Sequence, residues 1–330
     1  MGATIRDVAK QAGVSISTVS RVLNDTCNVA EDKRNRVEEA ARTLGYMPNP
    51  AAQSLHTRRT GGLGVLLPFV SGEFFSEFLN GVDETAQQEG WLLLISTSHN
   101  SNEELQAALK GMYRRVDGLI IMAPNVTAES VVRNRPDDVP IVFVNTETEG
   151  DGVDLITFDN HAGMLQMTTH LLERGHRRIG FIGGPDMAFD ARERERGFRD
   201  AHAAAGVDVI DSLVVKGNYS TQSGHDAAHA LIKRSDRPTA IMAANDDSAI
   251  GALSAIRESG LRVPEDIALT GFDDVPSARF TVPPLSTVHV PVRELGVLSI
   301  RTLLDRIGNQ NPTQPVQTVL SVDVRVRETT

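Results

Sequence analysis

Thr4-Ile5-Arg6-Asp7-Val8-Ala9-Lys10-Gln11-Ala12-Gly13-Val14-Ser15-Ile16-Ser17-Thr18-Val19-Ser20-Arg21-Val22-Leu23-Asn24 carries two short helices and the corner between them. Thr4, followed three residues on by Asp7, fits a capping box, and Ile5, Val8, Ala9 and Ala12 recur at helical spacing. Gly13 closes that helix because glycine enters the left-handed region without steric cost. Ser15 suits the N-cap of a second helix with Val19, Val22 and Leu23 on one face. A third helix is expected over residues 30–44, acidic at its start through Glu31 and Asp32 and stopped by Gly45.

Downstream, Tyr46-Met47-Pro48-Asn49-Pro50 cannot prolong a helix, since each proline drives its predecessor to extended geometry. Asn49 is a good N-cap and Pro50 suits the first helical position, so Ala51, Ala52, Gln53, Ser54 and Leu55 can form about two turns, too short to be stable alone. From residue 62 short apolar runs alternate with amphipathic segments. Strands are expected at 62–68, 91–98, 118–123, 141–145, 155–158, 178–183, 213–216, 240–244, 267–272 and 287–290. Helices are expected between them, among others at 74–89, 102–114, 161–173, 193–205 and 247–259. Such βα alternation implies doubly wound parallel sheets, and ten strands read better as two similar halves breaking near residue 160. Residues 316–326 show strand alternation with no leucine heptads after them.

The chain has 330 residues, 40% of them hydrophobic and 23% charged, enough for two or three packed domains. Its single cysteine, Cys27, excludes an intramolecular disulfide framework and fits a reducing compartment. No apolar run is long enough to span a bilayer, and the first twenty residues lack a signal sequence, so a cytoplasmic location is expected. The net charge is −10, but the first 60 residues hold nine Lys and Arg against six Asp and Glu. A small basic module thus precedes a large acidic one, an asymmetry that points to nucleic acid for the first part.

Two short helices about a glycine corner form the helix-turn-helix pattern, whose second helix enters the major groove of DNA; the same spacing also fits an ordinary three-helix bundle. With the residues quoted above, the chain resembles the lactose-repressor (LacI/GalR) family of transcriptional regulators. Leu44-Gly45-Tyr46 and Pro48-Asn49-Pro50-Ala51-Ala52 resemble that family's linker and hinge helix. The likeness continues through Val116-Asp117-Gly118, Gly175-His176-Arg177-Arg178-Ile179, Phe181-Ile182-Gly183-Gly184, Gly271-Phe272-Asp273-Asp274 and Leu285-Ser286-Thr287-Val288. It implies an α/β chain: a three-helix helix-turn-helix head over residues 1–47, a linker and hinge helix over 48–60, and an effector-binding and dimerisation domain over 61–330. That domain would resemble periplasmic sugar-binding proteins, with one lobe of about 61–158 and 290–320 and another of about 159–289 plus the C-terminal tail.

The resemblance places Ile16, Ser17 and Arg21 against base edges, where arginine can grip guanine with two hydrogen bonds and isoleucine can only touch a thymine methyl. Thr4, Ser15, Thr18, Ser20, Asn24, Asn28, Tyr46, Asn49 and Ala52 complete the implied DNA contacts, chiefly to phosphate; Thr18 and Ser20 also suit a plain helix surface. Leu55 is implied to wedge into the minor groove beside Leu55 of a second subunit, kinking the operator; its alternative is packing on the large domain.

Effector contacts are implied for Phe74, Phe75, Asp159, Arg194, Tyr219, Asn245 and Asp273. Aromatic faces suit the C–H faces of a sugar, the arginine fork suits vicinal hydroxyls or a ligand carboxylate, and Asp273 can accept from two hydroxyls. Each has a plainer role: core for Phe74 and Phe75, a solvated surface for Arg194, a helix cap for Asp159. The family usually places Asn-Pro before its paired phenylalanines; here Gly72-Glu73 stands there, and Glu73 is expected to face solvent, the alternative being recognition of a hydroxyl-rich or cationic ligand near the cleft.

Enzyme signatures fail. Gly180-Phe181-Ile182-Gly183-Gly184 lacks the G-x-G-x-x-G spacing of a dinucleotide site, and no P-loop or G-x-S-x-G elbow occurs. His225 and His229 share a helical face without the glutamate of H-E-x-x-H, so a solvated face is expected there rather than zinc. No catalytic residue, metal or cofactor is expected. The resulting expectation is a repressor that binds a near-palindromic operator as a homodimer, controlled by a small effector, a sugar or sugar derivative. The alternative is a solute-binding protein or ligand sensor without specific DNA binding.

Overall fold

The computed structural model describes residues 3–23, 29–47, 59–134, 139–308 and 314–330. They fall into two compact units, Met1–Gly61 and Gly62–Thr330.

The first unit holds α1 (Ile5–Ala12), α2 (Ile16–Leu23) and α3 (Glu31–Leu44). Asp7 Oδ2 accepts the Thr4 amide at 2.9 Å and its hydroxyl at 2.7 Å, fixing the start of α1. Gly13 ends it at φ +64°, where a β-carbon would be strained. Ser15 Oγ accepts the Thr18 amide at 3.1 Å and opens α2. Val8, Val19 and Val37 are fully buried where the three helices meet, with Ala9, Ala12, Val22, Ala40 and Ala41 around them. Small side chains let the helices approach closely, and they bury little apolar area in return.

The second unit contains two six-stranded sheets. The first is built from β1 (Gly62–Leu67), β2 (Leu92–Thr97), β3 (Gly118–Ile121), β4 (Ile141–Val144), β5 (Asp154–Phe158) and β11 (Gln317–Leu320), in the order β11-β5-β4-β3-β1-β2, all parallel. The second is built from β6 (Ile179–Ile182), β7 (Val214–Val215), β8 (Ala240–Ala243), β9 (Ala268–Asp273), β10 (Ser286–His289) and β12 (Asp323–Arg325), in the order β12-β10-β9-β8-β6-β7. Only β12 runs antiparallel there. The doubly wound α/β class expected from the alternation is what the chain adopts. Strands β1, β3, β4, β6, β8 and β9 are buried at every position, and this is why they read as unbroken apolar runs: helices cover both faces.

The chain passes between the sheets three times: from β5 into α7 (Asn160–Glu173), from β10 into α11 (Val292–Gly308), and from β11 to β12. The expected single alternating tail is therefore two strands in different sheets, with buried Val322 between them. A second departure is α8, which spans Phe189–Ala204 and starts one turn earlier than residue 193. Its first turn is retained because Asp190 lies on the buried face with Arg194, four residues on. One apolar core runs beneath the crossings, from Leu63, Val65 and Phe78 through Phe158 to Phe272 and Val288.

Candidate functional site

A cavity of about 590 Å³ opens between the two sheets at the carboxyl ends of their strands. Pro68 follows β1, Met122 and Pro124 follow β3, and Asn145 follows β4; from the other sheet come Pro185 after β6, Asn245 after β8 and Asp273 at the end of β9. This is where open α/β sheets bind ligands, since the loops there diverge and the helix N-termini point inward.

Arg194 forms the floor. It is only 3% exposed, and its donors reach three acceptors: Nε to Asn160 Oδ1 at 2.9 Å, Nη1 to the Ala244 carbonyl at 2.5 Å, and Nη2 to Asp273 Oδ1 at 3.2 Å. Its guanidinium carbon stands 3.9 Å from the centroid of Phe272. The reading of Arg194 as a solvated side chain therefore fails. Asn160 Nδ2 in turn donates to Asn145 Oδ1 at 3.0 Å, so a polar relay runs from the end of β4 in one lobe to Asp273 in the other. Burial pushes the Asp273 carboxyl up to about 7 against the opposing charge of Arg194, with Asp190 and Asp247 adding to the rise. Asp273 and Asp274 both hold positive φ, 112° and 56°, a strained exit from β9. Asp274, buried beside Arg279, His289 and Arg327, anchors that exit.

Phe74 and Phe75 open α4 (Glu73–Gln88), line the cavity and meet edge to face at 5.4 Å between centroids. Both also pack on the core, the plainer of the roles expected for them. Tyr219 lines the wall opposite; a β-carbon at Gly184 would lie 2.4 Å from its ring, so glycine there lets the ring lie flat on the backbone. Burial, with Asp190's charge next, drives the Tyr219 phenol well above its ordinary range and keeps it protonated. Asn245 caps α10 (Asp246–Glu258) through the Ser248 amide at 3.1 Å and donates to the Tyr219 carbonyl at 3.0 Å. Asp159 does not line the cavity: its carboxylate accepts the Ala162 amide at 2.8 Å and caps α7, the plainer of its two roles.

Glu73 also departs from expectation. Instead of facing solvent, its Oε2 accepts the Ser277 amide at 2.8 Å from the other lobe. Arg192 with Glu147 and the Phe189 amide with the Pro124 carbonyl close the same mouth at 2.5 and 2.8 Å. Sequence reading missed Asp190, Asn145, Asn160 and Asp247. The i, i+4 spacing of Asp190 and Arg194 was a usable signal, as was the position of Asn145 directly after an apolar strand.

In the first unit, α2 turns Ile16, Ser17 and Arg21 outward; Ile16 is 45% exposed, unusual for an isoleucine with no core to enter. Ser15, Ser17 and Thr18 join their hydroxyls at 2.8 Å, Ser20 is half-buried, Thr4 is used in the cap of α1, and Tyr46 packs its ring on the three-helix core. Asn24, Asn28, Asn49, Ala52, Leu55 and the hinge helix lie outside the described residues. His225 bonds to Glu258 at 3.0 Å, and no cluster of metal ligands occurs among the described residues. No helix among them is long and apolar enough to cross a membrane.

Comparison with known proteins accounts for both units. Residues 4–49 match the family described as bacterial regulatory proteins, lacI family, and residues 168–330 match the periplasmic binding protein-like domain. The HTH-type transcriptional repressor PurR of Salmonella newport (strain SL254) is 38% identical over 313 residues, covering 93% of this chain and 91% of the relative. The lac repressor dimer bound to operator and the anti-inducer ONPF superposes with a TM-score of 0.88 at 30% identity, over 100% of this chain and 99% of that one. The transcriptional regulator CelR–cellobiose complex gives a TM-score of 0.73 at 32% identity, over 99% and 100%. The chain belongs to the lacI family of bacterial regulatory proteins: it is a DNA-binding transcriptional regulator with a periplasmic-binding-protein-like domain, and not an enzyme.

Proposed function

We propose that the chain is a cytoplasmic repressor that binds a near-palindromic operator as a homodimer, and that a sugar or sugar derivative in the cleft sets its affinity for DNA. The observation that carries this reading is the cavity itself, floored by the Arg194–Asp273 pair and walled by Phe74 and Tyr219. Its polar groups match hydroxyls, and its rings match the C–H faces between them. The lac repressor bound to ONPG and the CelR–cellobiose complex, both similar in fold, support a carbohydrate. In the head, exposed Ile16, Ser17 and Arg21 supply base contacts, with Thr4, Ser15, Thr18, Ser20 and Tyr46 as backbone contacts and framework. Apolar side chains left exposed on the large unit support a second copy: Leu92 and Ile95 on edge strand β2, and Phe280 and Val282 between β9 and β10.

Ligand across the cleft ties lobe to lobe, and through the hinge segment this shifts operator affinity by a coupling of typically ~1–3 kcal/mol. The test is fluorescence anisotropy against a near-palindromic duplex with a central C·G step and a scrambled duplex, at ~150 mM salt where non-specific attraction is weak. A strong preference for the palindrome, altered by a sugar, is expected. Equal binding to both duplexes, with and without a metabolite pool, would remove the specific repressor and leave the ligand sensor.

A further inference from the structure

The cations of the second lobe fall into two groups. Residues 160–289 hold 14 Lys and Arg, and eight of them pair with a carboxylate. The other six, Arg174, Arg177, Arg178, Lys233, Arg237 and Arg257, have no carboxylate partner among the described residues. All six lie at one end of the lobe. Arg174, Arg177 and Arg178 lead from α7 into β6, Lys233 and Arg237 lead from α9 (Thr221–Ile232) into β8, and Arg257 lies in the last turn of α10, which leads into β9. Strands β6, β8 and β9 are consecutive parallel neighbours, so these approaches lie side by side at the amino ends of the strands, away from the cleft at the carboxyl ends. Arg178 Nε donates to the Arg237 carbonyl at 3.3 Å, and His176 Nδ1 lies 3.0 Å from Thr239 Oγ1, which ties two of the approaches together. Burial holds the His176 imidazole below its ordinary value, and the charges of Arg174 and His170 lower it further, the effect of a positive local field. This basic end belongs to a stretch, residues 61–330, that holds 24 Lys and Arg against 37 Asp and Glu.

We propose that this end of the second lobe is a docking surface for an acidic segment of another protein, whose carboxylates are received by Arg174, Lys233 and Arg237. Clustered cations repel one another until an incoming anion neutralises them, and their summed field steers that anion to the face. Five of the six are arginines, whose planar fork takes a carboxylate through two parallel hydrogen bonds. Asp236 and Asp266, paired with Arg234 and Arg262, stand on the same face. They would confront the unbroken charge of a phosphate backbone, whereas a peptide can space its acids around them. Residues 173–178, 233–239 and 257–267 contain no Phe, Tyr or Trp to stack a base. They also expose no large apolar side chain to enter a bilayer.

The test uses the full chain and fluorescence anisotropy. Its probe is a fluorescein-labelled peptide of alternating Glu and Ala, beside the same peptide with Gln for Glu and vesicles of phosphatidylserine in phosphatidylcholine. The Glu peptide is expected to bind, to weaken as salt screens the charges, and to bind far better than the Gln peptide. Arg174→Glu combined with Arg237→Glu should weaken it at least ~10-fold. Arg177 and Arg178 stay in place because their side chains bond to backbone carbonyls. Arg115→Glu combined with Arg133→Glu makes the same change in net charge on exposed positions of the first lobe and should alter peptide binding less than ~2-fold. Thermal shift shows whether the reversed variant folds. Lys233→Gln combined with Arg237→Gln, which adds no repulsion, serves as the second variant and should weaken the peptide ~3-fold. No binding of the Glu peptide at millimolar concentration, equal binding of the Gln peptide, or equal weakening in the two reversed variants would each overturn the proposal. So would a reversed variant that loses vesicles, operator DNA or self-association in sedimentation while keeping the peptide, since the face would then serve a membrane, DNA or a second copy.

Discussion

Glu73 Oε2 accepts the Ser277 amide at 2.8 Å, bonding the first residue of α4 in one lobe to the 3-10 turn that follows β9 in the other. The two residues are 204 positions apart in the chain. A charged acceptor on a backbone amide is one of the stronger hydrogen bonds. Glu73→Ala should therefore release the lobes and speed hydrogen exchange at the Ser277 amide about tenfold, whereas Glu73→Gln, which still presents an oxygen, should lose less. Exchange measured by mass spectrometry on the ligand-free protein decides it; an unchanged Ser277 peptide in Glu73→Ala would show that other contacts hold the mouth.

Arg194 is the most heavily bonded side chain of the cleft. Arg194→Met strands Asp273 in the interior and should cost about 3–5 kcal/mol in urea denaturation of the large unit. Adding Asp273→Asn should return part of that loss, because the pair is coupled. Strictly additive effects in the double variant would mean the two groups do not share their stabilisation.

The same carboxyl makes stability depend on pH. Asp273 titrates near 7 in the folded chain and near 3.8 when unfolded, so between those values the folded state holds a proton that the unfolded state has lost. Its contribution is fully present below about pH 4 and is lost as pH rises through about 7, with a slope of at most about 1.4 kcal/mol per pH unit. Burial shifts Asp246 and Asp247 upward as well, so their contributions have the same sign. Denaturation at pH 5, 6, 7 and 8 should show stability falling less steeply in Asp273→Asn than in the native chain. An identical slope in both would refute the assignment.

Phe280 is 82% exposed, beside exposed Val282. If a second copy covers it, Phe280→Asp should shift sedimentation equilibrium toward monomer and weaken operator binding by at least about tenfold, through loss of a central apolar anchor. A variant that remains dimeric would move the interface elsewhere, with β2 the next surface to test.

Leu55, outside the described residues, is implied by family resemblance to wedge the operator open. Leu55→Ala should weaken binding to the palindrome severely and leave ligand binding in the cleft intact. Anisotropy and calorimetry on one preparation measure both, and native operator affinity would remove the wedge.

Strand positions were legible because β1, β3, β4, β6, β8 and β9 are buried on both faces and so are apolar throughout. The head was legible because Thr4, Asp7, Gly13 and Ser15 punctuate it locally. What escaped was non-local. Asp190 and Asp247 look like ordinary acidic residues at helix starts, and only the facing lobe makes them walls of a cavity. Glu73 resembled a solvated charge because its partner is a backbone amide, which leaves no mark on the side-chain pattern. Asp159 had two readings that only the position of the Ala162 amide could separate. The tail looked like one strand because alternation records burial and does not record which sheet supplies it.

The division of residues 317–325 between two sheets also bears on how the protein is made. Neither sheet has its full set of strands until the ribosome has delivered this stretch, about 160 residues after β5 is complete. The three-helix head, whose contacts are all local, can fold almost as soon as it emerges. For most of its synthesis the nascent chain therefore carries a folded head on an unfinished second unit, and a chain broken off before residue 317 keeps its first unit while leaving an edge open on each sheet.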